Sequence, residues 1–202
     1  MRWPRIGSLL VVIALTAAAC STDGTSLTAP GENGATPAPI VVPTEELERP
    51  LSADVAFNIT SPAFEAGASI PPVFTRRDGD DLSPPLVWAG VPEEATELVL
   101  VMTDPSADGF VHWVIWGLDP LTSGIARGQV PPGTRQATNS FGEIGYAGPD
   151  PPEEDAAHVY LWRLFALDQP TLDVPEGIDG REAIPLLEER AIAIAEMFAF
   201  YG

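Results

Sequence analysis

The sequence predicts a mainly β domain, an antiparallel β-sandwich with a few peripheral helices including one near the C-terminus. Two observations carry this. Between residues 55 and 167, strand-length runs that are apolar or alternating recur between breaks of Pro, Gly and Asp. Only one segment, beyond residue 179, has a convincing helical stripe. The chain has 202 residues, and those after its N-terminal tail suffice for one domain with a real core.

Taken in order, the chain opens with Arg2 and Arg5 ahead of an apolar run from Ile6 to Ala19. A short basic start, a run too short for a comfortable membrane span and small residues before a cut form a secretory signal over 1–19. Ala17-Ala18-Ala19-Cys20 followed by Ser21-Thr22-Asp23 has the form of a bacterial lipobox, with Ala17 where such boxes usually carry Leu. Cys20 is therefore expected to carry lipid and to hold the protein on the extracytoplasmic face of the bacterial membrane. It is the only cysteine, so no internal disulfide can form. Residues 20–50 are Ser, Thr, Gly, Ala and Pro with scattered Glu and no apolar period, which reads as a disordered tether. A flexible coil of that length spans roughly 30 Å end to end.

Residues 51–202 form the predicted domain. Val55-Ala-Phe-Asn-Ile59 alternates as a strand, and Pro71-Pro72 and Pro84-Pro85 confine the next stretch to loops and edges. Leu86-Val-Trp88, Glu97 to Met102, Phe110 to Leu118 and Ala157 to Leu167 are four further strands, and 123–142 is mostly irregular. Asp179-Gly-Arg-Glu182 resembles a capping box, and Ile184, Leu187, Ala191, Ile194 or Ala195 and Phe198 follow a helical stripe. Pro185 would cost about 3 kcal/mol deep in a helix, so the main helix is expected to start there.

Charge narrows the function. Without residues 1–19 the chain has 8 arginines, no lysine and 29 acids, a net charge of −21. Neither nucleic acid nor anionic lipid finds cations on such a surface. Membrane attachment must then come from lipid on Cys20.

The two histidines draw attention to two stretches. In Asp104-Pro-Ser-Ala-Asp-Gly-Phe-Val-His112-Trp113, strand alternation puts His112 on one face with Phe110, Val114 and Trp116. That strand is apolar almost throughout, as if buried on both faces. In the second, Gly145-Tyr-Ala-Gly-Pro-Asp-Pro-Pro152 leads to a strand with His158, Tyr160, Trp162 and Leu164 on one face. Arg76-Arg77-Asp78-Gly79-Asp80-Asp81 reads mainly as a solvated turn, though either arginine could serve an anionic ligand. Its spacing lacks the regular oxygen ligands of a calcium loop.

Together these blocks resemble the phosphatidylethanolamine-binding protein family, in its bacterial Raf-kinase-inhibitor-like branch. The resemblance spans about 55–202 and rests on four blocks in order. They are Ser61-Pro-Ala-Phe64, Asp78-Gly-Asp-Asp-Leu-Ser-Pro-Pro-Leu-Val-Trp88, Asp104-Pro105 with His112-Trp113, and Gly145-Tyr-x-Gly-Pro-x-Pro-Pro152 with His158-x-Tyr160. It implies the same sandwich and a pocket for a small anion such as phosphate or phosphoethanolamine. Carried over, the pocket residues are Asp104, His112, Pro151, Pro152, His158 and Tyr160. Imidazole and phenol can donate to phosphoryl oxygens, and Asp104 can fix a tautomer. Two positions depart from the family pattern: Ser106 replaces a usual second Asp, and Glu153-Glu154-Asp155 replaces a usual Gly.

Three functions remain open at this point. One is a lipid-anchored module that binds a small anion or regulates a partner. Another is an enzyme using Asp104 and the histidines as acid and base. The third is a surface scaffold with a relic pocket. No Gly-x-Ser-x-Gly, phosphate-loop or His-Glu-x-x-His motif is present, so no catalytic residue, metal or cofactor is assigned. No residue identifies a protein partner.

Overall fold

The computed structural model describes residues 55–171 and 173–202. The signal sequence 1–19, the lipidation site Cys20 and the tether 20–50 lie outside the described residues.

The strands are β1 (Asn58–Thr60), β2 (Leu86–Ala89), β3 (Glu97–Asp104), β4 (Phe110–Leu118), β5 (Gly124–Ile125), β6 (Arg135–Gln136), β7 (His158–Leu167) and β8 (Ala191–Tyr201). One α-helix, α1 (Gly180–Glu188), and two 3-10 turns, Pro72–Phe74 and Pro105–Ala107, complete the elements among the described residues. The strands form a three-stranded sheet, β1-β2-β5, and a five-stranded sheet, β6-β4-β3-β7-β8. All neighbours within each sheet are antiparallel.

The sheets pack face to face. Ile59, Leu86 and Trp88 from the small sheet meet Leu100, Met102, Trp113, Trp162, Leu164 and Met197 from the large one in a single core. The opposite face of the large sheet is covered as well: Val99, Val101, Val114, Trp116 and Phe165 form a second core with Ala183 and Leu187 of α1. Coverage on both faces explains why β3 reads as an unbroken apolar run, since each of its positions is buried.

Three expectations need correction. β1 begins at Asn58, so Val55, Ala56 and Phe57 lie before it. The helix ends at Glu188, and Ala191–Tyr201 is a strand paired with β7 from Leu167↔Ala191 to His158↔Tyr201. Ala191, Ile194 or Ala195 and Phe198 fit a helical stripe, yet Ala191-Ile-Ala-Ile-Ala also alternates with period two. Pairing along the whole of β7 and burial of Ala195, Met197, Ala199 and Tyr201 on one face decide for the strand. Pro185 accordingly lies inside α1 rather than at its start. The helix begins upstream because the Asp179 carboxylate accepts the Arg181 N–H at 2.8 Å, a side-chain N-cap.

The third correction concerns His112. Met102 pairs with Trp113 while Thr103 pairs with Val111, which leaves His112 as the extra residue of a β-bulge. Beyond the bulge Val114 and Trp116 face the α1 side, whereas Trp113 faces the core between the sheets. His112 turns to the same side as Trp113, against Tyr160, and not to the side of Val114 and Trp116.

Candidate functional site

Antiparallel order gathers the site at one end of the large sheet. β3 ends at Asp104, and its two neighbours, β4 and β7, begin there with Phe110 and His158. The carboxylate and both histidines are thus neighbours in space though far apart in sequence. The 105–109 connection stays tight because Asp104 accepts the Ser106 N–H at 2.8 Å, with Asp108 and Gly109 both at positive φ.

The second wall is the loop that carries Pro149 to Pro152, and the charged turn at 76–81 holds it. The Pro149 carbonyl accepts the Arg76 N–H at 3.0 Å, and the Asp81 carboxylate accepts the Gly148 N–H at 2.6 Å. The Tyr146 hydroxyl donates to the Phe74 carbonyl at 2.6 Å. Gly148 is needed for this close approach: a Cβ there would sit 2.5 Å from the Phe74 carbonyl oxygen. The turn is therefore a clamp on the loop rather than a merely solvated element. Neither arginine is among the cavity walls. Arg76 forms a bidentate pair with Glu143 at 2.7 and 2.8 Å, and Arg77 faces Asp150 at 3.4 Å.

Asp104, His112, Pro151, Pro152, His158 and Tyr160 all line one cavity of about 160 Å³. Ala107, Phe110, Phe141 and Asp150 complete its walls. Phe110 was legible from its alternation with His112, and Asp150 stands inside the Pro-Pro motif. Phe141 lies in the irregular 123–142 stretch and had no sequence signal. It packs edge-on against Phe110 at 4.8 Å and against His112 at 6.0 Å. The volume is below the 300–1,000 Å³ usual for pockets that enclose a drug-sized ligand. It suits a chemical group rather than a large molecule.

The two imidazoles are in opposite electrostatic situations. His158 Nδ1 donates to the Asp104 carboxylate at 2.6 Å, and its Nε2 lies 3.3 Å from Asp155. The bond to Asp104 raises the His158 pKa above the ordinary 6.5, partly opposed by burial, and Asp155 adds to the rise. Burial instead lowers the His112 pKa, against the smaller opposing effect of the Ala147 carbonyl. His112 Nδ1 lies 2.8 Å from that carbonyl. A carbonyl can only accept, so Nδ1 carries the hydrogen and the neutral ring keeps its lone pair on Nε2. Burial also raises the Tyr160 pKa, with Asp104 assisting, so the phenol keeps its proton.

The wall therefore offers a phenolic O–H, an imidazole driven toward its neutral form and a second imidazole that carboxylates drive toward its charged form. Ser106, where the family pattern has an acid, accepts the Val159 N–H at 3.0 Å and braces the start of β7. Among the described residues, no group of three or more His, Cys, Asp or Glu side chains could hold a metal ion.

A β-sandwich with a small, partly polar cavity at one sheet end defines a class, the compact ligand-binding domain. Residues 60–202 match the phosphatidylethanolamine-binding protein family, and the chain belongs to that family. A relative from Methanothermobacter thermautotrophicus, called a UPF0098 protein, is 36% identical over 151 residues, covering 71% of this chain and 97% of that one. A Mycobacterium tuberculosis protein described as lipoprotein LppC is 36% identical over 156 residues, covering 76% of each chain. Among solved structures, the phosphatidylethanolamine-binding protein homolog CT736 from Chlamydia trachomatis superposes with a TM-score of 0.66 at 36% identity, covering 73% and 97% of the two chains. YbcL from E. coli gives a TM-score of 0.69 at 25% identity, covering 73% and 98%.

Proposed function

We propose that this protein is a lipid-anchored, extracytoplasmic binding protein whose cavity takes the anionic group of a small ligand, phosphate or phosphoethanolamine-like. The observation that carries the reading is that one small cavity is walled by both the Tyr160 hydroxyl and the His158 ring, whose Nδ1 lies 2.6 Å from the Asp104 carboxylate that favours its charged form. An anion accepts from the phenol and from the imidazolium. A phosphoryl monoanion that keeps one P–OH can also donate to the neutral His112 ring. The cavity volume favours a headgroup over a whole lipid. Anchoring is supported by the lipobox form of residues 17–20 and by the likeness to a protein described as a lipoprotein.

Calorimetry with inorganic phosphate and with sulfate at pH 5.5 and pH 8 tests the binding. Sulfate keeps its charge over this range, whereas a phosphate ester changes charge near pH 6. Because the raised His158 pKa makes the ring cationic at the lower pH, sulfate should bind more tightly at pH 5.5. Tyr160→Phe should weaken binding by about fivefold, the worth of one hydrogen bond. Absence of binding by either anion at both pH values would contradict the reading. For the anchor, Cys20→Ala should release the protein from membranes. A variant that stays bound after a salt wash would refute lipid attachment.

A further inference from the structure

His158 has two ring nitrogens, and both are engaged by carboxylates: Nδ1 by Asp104 and Nε2 by Asp155. The two partners are not equivalent. Asp104 is buried, its side chain 4% exposed, and a second bond from the Ser106 N–H holds it in place. The Asp155 side chain is 51% exposed, in a loop where every residue from Pro152 to Ala157 is exposed. The 3.3 Å contact with His158 holds its carboxylate against that ring. Asp104 is a fixed part of the site, whereas Asp155 can rotate into water at small cost. Asp155 does not itself line the cavity. It acts on the ring that does.

We propose that Asp155 is a tethered competitor, an intramolecular carboxylate on the His158 Nε2–H that an anionic ligand must displace, and that it thereby sets the affinity of the site. This rests on the anion-binding reading above. With both N–H groups occupied, His158 has no donor left for an incoming oxygen, and its one positive charge is shared between two negative ones. An anion gains the Nε2–H bond only when Asp155 swings out. Asp150, in the cavity wall 3.4 Å from Arg77, adds no comparable block, since its charge already faces a cation. The competitor belongs to the acidic run Glu153-Glu154-Asp155, which follows Pro151-Pro152 where the family pattern usually has Gly.

The experiment is a sulfate titration by calorimetry at pH 6 on the full chain, comparing wild type, Asp155→Ala and Glu153→Gln. Both variants remove one negative charge from the same exposed loop, but only the first frees Nε2. An exposed ion pair is worth at most about 1 kcal/mol, so Asp155→Ala should tighten sulfate binding by up to about fivefold. Glu153→Gln should change it by less than about twofold. Equal affinity in wild type and Asp155→Ala overturns the competitor while leaving the binding site intact. Equal tightening by both variants overturns it too, since the effect is then only net charge. Failure of all three proteins to bind sulfate overturns the binding reading itself, and the competitor with it.

Discussion

His112 and His158 line the same small cavity and lie on the two strands that flank β3, yet the fold treats them as different chemical groups. His158 opens β7 beside a buried carboxylate and is driven toward the charged form. His112 is the extra residue of a bulge, packed among Phe110, Phe141 and Tyr160, and is driven toward the neutral form. The same side chain is favoured as a cation in one place and as a lone-pair acceptor a short distance away. What differs is the neighbour: a carboxylate for one ring, aromatic carbon and a backbone carbonyl for the other.

The largest break in this comparison should come from Asp104→Ala. Removing one partner of a buried, hydrogen-bonded charge pair costs about 3–5 kcal/mol, and the Ser106 N–H loses its acceptor at the same time. The cost has a pH signature. The His158 pKa is raised in the folded state, so its stabilising contribution is complete below about pH 6.5 and is lost as pH climbs through the folded value. Urea unfolding should therefore show the larger deficit at pH 5.5 and a smaller one at pH 9. His112 has the opposite sign: its pKa is lowered, so its contribution is present above about pH 6.5 and lost as pH falls toward the folded value.

A smaller and more selective effect is expected from Gly148→Ala. The added methyl would meet backbone at 2.5 Å from Phe74 O and 2.8 Å from Arg76 N, so the loop must shift. Overpacking of this kind costs about 1–3 kcal/mol. The shift moves the Ala147 carbonyl that holds His112 but does not touch the Asp104–His158 pair. Ring resonances of His112 should move in NMR spectra while the His158 midpoint stays in place. Displacement of both would show that the two halves of the site are mechanically linked.

Much of this arrangement is legible in the sequence, and the reasons differ by residue. Asp104, His158 and Tyr160 enter as site residues through the family resemblance, and strand alternation adds that His158 and Tyr160 share a face, with Asp104 at a strand end. The side to which His112 turns does not follow, because a bulge breaks the period of two and leaves no composition signal in Val111-His112-Trp113. The sequence of β8 reads as helix because small Ala residues satisfy helical and strand spacing alike, and only pairing with β7 separates them. Phe141 and the clamp role of Asp81 depend on contacts across the chain, such as Asp81 to Gly148, that no local pattern encodes.

The most direct test is an NMR pH titration of the histidine ring protons. The chain has only His112 and His158, so each curve is assigned by replacing one histidine with glutamine. The account predicts two separated midpoints, His158 above 6.5 and His112 below it. Coincident midpoints near 6.5, or the reverse order, would contradict it.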